Sequence, residues 1–173
     1  AAAAVFQTLA PGDHVVAPRM MYWGLRSWLV AFGQRWGVAI DLVDTHDLDR
    51  LRAAIRPGAT RLVWLEVPAN PTWDVADIAG AAELAHAAGA RLAVDSTAAT
   101  PVHTRPLALG ADLVMHSATK YLNGHSDVLA GALVTAALDE PWQRLRGHRH
   151  DAGAVLGPAL GLGGLAELQV HPR

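Results

Sequence analysis

Arg61-Leu62-Val63-Trp64-Leu65-Glu66, a helical stretch from Asp74 or Val75 to Ala88, a stop at Gly89, and then Arg91-Leu92-Ala93-Val94-Asp95 decide the fold. Each outer piece is a near-continuous apolar run that ends on an acid. A strand with one wet face alternates apolar and polar residues, whereas a strand covered on both faces does not. Two such strands joined by a helix with an apolar stripe make a strand–helix–strand unit, and the right-handed crossover sets both carboxyl ends on one edge.

The same pattern extends in both directions. Ala1 to Leu9 reads as a helix ended by Ala10-Pro11-Gly12, Asp13 to Ala17 as a strand, Tyr22 to Phe32 as a helix, and Val38 to Val43 as a strand. Asp47 to Ile55 reads as a helix with Asp47 as its cap, closed by Pro57-Gly58. Downstream, Ala111 to His116 and Gly131 to Thr135 read as strands, and Asp139 to about His150 as a helix. The expected fold is α/β: a mostly parallel sheet with helices on both faces. The tail from Gly153 to Arg173 is rich in Gly, Leu and Ala and shows no clean period.

Composition narrows the function. With 173 residues, 51% of them hydrophobic, the chain is long enough for a real core and unlike a disordered tail. A net charge of −2 gives no electrostatic reason to expect nucleic acid or an anionic membrane as partner. No apolar run approaches a membrane span, and the apolar start Ala1 to Phe6 has neither a basic lead nor a cleavage-site context, so no secretory leader is expected and the cytoplasm is the default. There is no Cys, which excludes thiol nucleophiles and disulfides.

Of the 14 basic residues, all are Arg except Lys120. An amine can lose its proton and add to a carbonyl, which a guanidinium in a protein effectively cannot. Around this lysine, polar residues fall just past the strand ends: Arg19 and Tyr22, Glu66 and Asn70, Asp95, then Ser117, Thr119 and Lys120. In parallel sheets ligands bind outside the carboxyl ends. A lysine beside an aspartate suits pyridoxal 5′-phosphate (PLP): the amine condenses with the aldehyde, and the carboxylate keeps the ring nitrogen protonated. Ser117 and Thr119 are hydroxyls suited to phosphate oxygens, Tyr22 offers a ring to stack and a phenol for proton work, and Asn70 could bond the phenolic oxygen. Each has an ordinary reading: Asp95 as a turn or cap residue, Ser117 and Thr119 as loop hydroxyls, Tyr22 as a helix start against the core, Asn70-Pro71 as a turn. Glu66 reads as a supporting or ion-pairing residue rather than a catalyst.

Ser117-Ala118-Thr119-Lys120-Tyr121-Leu122-Asn123-Gly124-His125-Ser126-Asp127 resembles the cofactor-lysine signature of the Cys/Met-metabolism PLP enzymes. Pro11 to Val16, Glu66 to Thr72, and Asp95-Ser96-Thr97 through Thr100-Pro101 match in order and spacing, and the similarity runs from the start to about His150. The resemblance implies the PLP-binding large domain of the aspartate-aminotransferase-like fold. Lys120 would carry the internal aldimine and Asp95 would pair with the pyridinium nitrogen. Tyr22 would stack and help move protons, Ser117 and Thr119 would contact the phosphate, and Asn70 would sit near the phenolic oxygen. Substrates would be amino acids such as cystathionine or activated homoserine, undergoing β- or γ-elimination or γ-replacement, with no nucleic acid or membrane involved. The full-length form would be a homodimer or homotetramer. Asn123-Gly124-His125-Ser126-Asp127 leans toward cystathionine γ-synthase or γ-lyase types over sulfhydrylases, and the lack of Cys speaks against methionine γ-lyase.

Some of the family's parts are not expected within these residues. The main phosphate-cradling turn should precede Ala1, and the N-terminal segment that reaches a neighbouring subunit and the C-terminal domain with its carboxylate-gripping Arg have no counterpart. The expectation is a PLP-binding domain over 1–150, incomplete on its N-terminal side, and a tail over 151–173 that starts a truncated C-terminal region, without turnover by this chain alone. The alternative is a non-catalytic remnant or an oligomerisation domain that keeps the fold. Two other patterns read as decoys. Gly161-Leu162-Gly163-Gly164-Leu165-Ala166 fits a dinucleotide-loop spacing but follows no clear strand. His148-Arg149-His150 reads as a solvated helix end rather than a metal site, and His116 and His125 as structural hydrogen-bonding residues.

Overall fold

In a computed structural model the chain is described over residues 1–151 and again over 162–167. The elements run α1 (Ala2–Phe6), β1 (His14–Pro18), α2 (Trp23–Trp36), β2 (Ala39–Val43), α3 (Leu48–Ala54), β3 (Thr60–Glu66), α4 (Ile78–Ala87), β4 (Arg91–Asp95), α5 (Thr100–His103), a 3₁₀ turn (Pro106–Leu109), β5 (Leu113–His116), β6 (Leu129–Thr135), α6 (Glu140–Asp151) and β7 (Leu162–Glu167). They form one sheet in the order β2-β1-β3-β4-β5-β6-β7. β2, β1, β3, β4 and β5 are mutually parallel, β6 runs antiparallel to β5, and β7 is parallel to β6. The reversal at β6 has a local cause. A parallel return needs a crossover of a dozen or more residues, usually a helix, and the segment between β5 and β6 is turns without a helix.

Period-two alternation sorts the central strands onto two cores. Leu62, Trp64, Ala93, Leu113 and Met115 pack with Phe6, Leu29, Phe32, Trp142 and Leu145, on the side of α1, α2 and α6. Val63, Leu65, Leu92 and Val94 pack with Leu51, Ile78, Ala81 and Ala85, on the side of α3 and α4. Trp64 is fully buried, with the Phe6 ring centroid 4.9 Å away.

Besides the early end of α1, at Phe6 rather than Leu9, three differences from the sequence expectation stand out. α2 continues past Phe32 to Trp36 because Gly33 belongs inside it: a Cβ there would stand 2.7 Å from the Val38 carbonyl oxygen and from Ile40 Cγ1, so the missing side chain lets the helix lie close on β2. The true stop is Gly37, at φ 69°. α4 starts at Ile78 rather than Asp74 or Val75, because Asp77 is its cap, with its side chain accepting from Gly80 N–H. The cap expected at Asp47 is present, accepting from Asp49 and Arg50 N–H. The third difference is in the tail, where a strand, Leu162–Glu167, pairs with β6 although no period announced one. The rest of the tail lies outside the described residues.

Candidate functional site

β1, β3, β4 and β5 are four adjacent parallel strands, so their carboxyl ends share one edge. Tyr22 follows β1, Glu66 ends β3 with Asn70 just beyond, Asp95 ends β4, and Ser117, Thr119 and Lys120 follow β5. The sequence-predicted residues are therefore brought to one rim by topology alone.

Hydrogen bonds tie that rim together. Glu66 Oε2 accepts from Tyr22 N–H at 2.8 Å and Oε1 from Asn70 N–H at 3.0 Å. Glu66 and Asp95 are register partners across β3 and β4, and Val67 N–H donates to the Asp95 carbonyl. Asp95 Oδ1 accepts from the backbone N–H and the hydroxyl of Thr97, and Thr97 Oγ1 accepts from Ser117 N–H at 2.8 Å. An unbroken path of bonded groups thus runs from the loop after β1 to the loop after β5.

The individual environments differ. Asp95 is only 6% exposed. Burial pushes its carboxyl up to about 6, and the neighbouring Glu66 charge pushes the same way against the Thr97 hydrogen bonds. Burial also raises Glu66, opposed by its two backbone donors. Among the described residues no cation pairs with either acid. Two buried carboxyls without a counter-charge at a strand edge are what a protonated ring nitrogen would neutralise, so this donor set fits the cofactor expected from the sequence.

Tyr22 is the N-cap residue of α2 and 55% exposed, so it starts a helix but does not lie against the core. Asn70 is exposed, in a turn before a cis Asn70-Pro71 bond, so its ordinary turn reading holds along with its place on the rim. Lys120 is exposed, and no hydrogen bond or ion pair to its amine occurs among the described residues. Ser117 is half-buried, and its hydroxyl is without a protein partner among the described residues. Thr119 is differently placed: its hydroxyl donates to the Ala130 carbonyl at 3.2 Å and accepts from Ala130 N–H at 2.9 Å. That pair stitches the lysine loop to β6 and commits the hydroxyl proton.

Sequence reasoning did not give Thr97 a role. The signal was available in Asp95-Ser96-Thr97, since a hydroxyl two residues after an aspartate readily folds back onto it. Glu66 fits its supporting role. His125 Nδ1 bonds the Asn123 carbonyl oxygen, in line with a structural part. His116 is buried, which lowers its pKa; it has a backbone hydrogen bond with Ser96 but no partner at Nδ1 among the described residues. The side chains of His148 to His150 lie outside the described residues. No group of three His, Cys, Asp or Glu side chains converges for a metal among the described residues, and no described helix is long and apolar enough to cross a membrane.

Residues 1–169 match the family described as "Cys/Met metabolism PLP-dependent enzyme". The cystathionine gamma-synthase of Mycobacterium bovis is 48% identical over 152 residues, which cover 87% of this chain and 38% of that protein. The L-methionine gamma-lyase of Pseudomonas putida is 46% identical over 150 residues, covering 87% and 37% respectively. That of Porphyromonas gingivalis is 48% identical over 132 residues, covering 76% and 33%. The chain therefore spans little more than a third of the length of these curated relatives. With the rim geometry and a match along almost its whole length, the chain belongs to the Cys/Met-metabolism family of PLP-dependent enzymes.

Proposed function

We propose that this chain is the cofactor-lysine portion of a PLP-dependent lyase or transferase of sulfur amino acids, acting by β- or γ-elimination or γ-replacement on cystathionine, activated homoserine or a related amino acid. The observation that carries the proposal is the rim itself: Tyr22, Asn70, Asp95, Ser117 and Lys120 gather at the carboxyl ends of four neighbouring parallel strands, around a buried acid with no cationic partner among the described residues.

Bound PLP supplies an electron sink for the pair left when a bond at the substrate's α-carbon breaks. Lys120 Nζ would hold the cofactor aldehyde and, as a free amine, would carry the substrate's α-proton. Asp95 would pair with the ring nitrogen and hold the proton there. Tyr22 would stack its ring against the cofactor, and its phenol would move a proton at the leaving side. Asn70 Nδ2 would donate to the phenolic oxygen. Ser117 is the readier phosphate donor, while Thr119 fixes the loop through Ala130 and reaches the phosphate only by giving up a bond. We further read the whole protein as a cytoplasmic homodimer or homotetramer.

Adding PLP to the purified chain tests this. A visible absorbance band that Lys120→Arg abolishes is expected, and no band in the unaltered chain would contradict it. Product assays with cystathionine and with an acylated homoserine then separate lyase from synthase.

A further inference from the structure

Glu66 stands out among the buried groups. It is 9% exposed, no cation pairs with it among the described residues, and its pKa is raised by that burial. An uncompensated buried carboxylate is costly to the fold. Its neutralising contacts are two backbone N–H groups, from Tyr22 at 2.8 Å and from Asn70 at 3.0 Å, each on its own oxygen. These donors come from different loops, after β1 and after β3, and both carry exposed side chains that the core does not hold. A hydrophobic residue at position 66 would leave both N–H groups without this acceptor. An amide would offer one acceptor oxygen and turn its own N–H toward the second backbone N–H. Among these side-chain types, only the carboxylate satisfies both donors.

We propose that Glu66 is a positioning residue: its carboxylate clamps Tyr22 N–H and Asn70 N–H together and thereby sets the Tyr22 ring and the Asn70 amide over the strand edge that ends in Asp95. It touches no reacting atom itself. The cofactor-related part of this assignment rests on the function proposed above; the clamp does not.

The test has two arms on the 173-residue chain, comparing the unaltered protein with Glu66→Gln and with Glu66→Asp, which keeps the charge but is one methylene too short to serve both donors. In the first arm, without cofactor, amide hydrogen exchange is followed by NMR. Exchange is expected to quicken by about tenfold or more at one or both of Tyr22 and Asn70 in either variant, while Val63 and Val94 in the strands stay protected. Tyr22 and Asn70 amides as slow as in the unaltered chain would overturn the clamp. In the second arm PLP is added. Binding weaker by about tenfold, with an altered circular-dichroism band of the bound cofactor, is expected. Unaltered affinity and an unaltered band would overturn the positioning role. Should Glu66→Gln fail to fold, Glu66→Asp decides both arms. Should the unaltered chain not take up PLP, the function proposal fails while the exchange arm still decides the clamp.

Discussion

Glu66 and Asp95 are register partners at the last residues of β3 and β4, and both carboxyls are buried. Two acids side by side in this way raise each other's cost of ionisation. That pairing makes the cofactor-free rim a place of stored electrostatic unfavourability, with a predictable dependence on pH.

Asp95 titrates near 6 in the fold, up from an ordinary 3.8, chiefly through burial. Between those values the folded chain holds a proton that the unfolded chain has lost, so this group's contribution is most favourable below about pH 4 and is lost as pH rises through 6. A shift of that size corresponds to roughly 3 kcal/mol. Asp95→Asn should therefore make the cofactor-free chain more stable at pH 8, by about 1–3 kcal/mol, and leave it nearly unchanged at pH 4. Urea unfolding at both pH values measures this; an equal change at both would refute the electrostatic cause.

Thr97 joins Asp95 to the lysine loop through one hydroxyl. Thr97→Val keeps the shape and removes both bonds, which should cost about 1–3 kcal/mol in unfolding free energy. Thr97→Ser should recover most of the loss. A Val variant as stable as the Ser variant would mean that the hydroxyl is not the link.

Gly33 lets α2 lie on β2 without a side chain between them. Gly33→Ala would push a Cβ to 2.7 Å from backbone at Val38 and should destabilise by about 1–3 kcal/mol. Gly147, in α6, has nothing within 4 Å of where a Cβ would stand among the described residues, so Gly147→Ala should be neutral or stabilising. Thermal unfolding of the two variants side by side checks the contrast.

Much of this was legible in the residues. The apolar runs from Arg61 to Glu66 and from Arg91 to Asp95 coincide with β3 and β4 to within a residue, because a strand buried on both faces leaves little choice of pattern. Chain order with a parallel sheet was enough to bring Tyr22, Asn70, Asp95 and Lys120 to one edge. What escaped has several causes. Nothing local to Gly33 announces the Val38 carbonyl above it. The start of α4 is fixed by the Asp77 cap and not by the apolar stripe. The short helix Thr100–His103 and the turn Pro106–Leu109 are too brief to show a period, and Leu162–Glu167 has no β-branched residue to mark it as a strand. The commitment of Thr119 to Ala130 requires β6 to lie where it does.

The central claim is that one amine holds the cofactor, and the composition makes it unusually clean to test. Lys120 is the sole lysine, so its competitor for an aldehyde is the N-terminal amine of Ala1. The chain is incubated with PLP, reduced with borohydride, and digested for mass mapping of the adduct. The account predicts a phosphopyridoxyl group on the peptide that carries Lys120, absent from Lys120→Arg. No adduct, or one confined to Ala1, would contradict it.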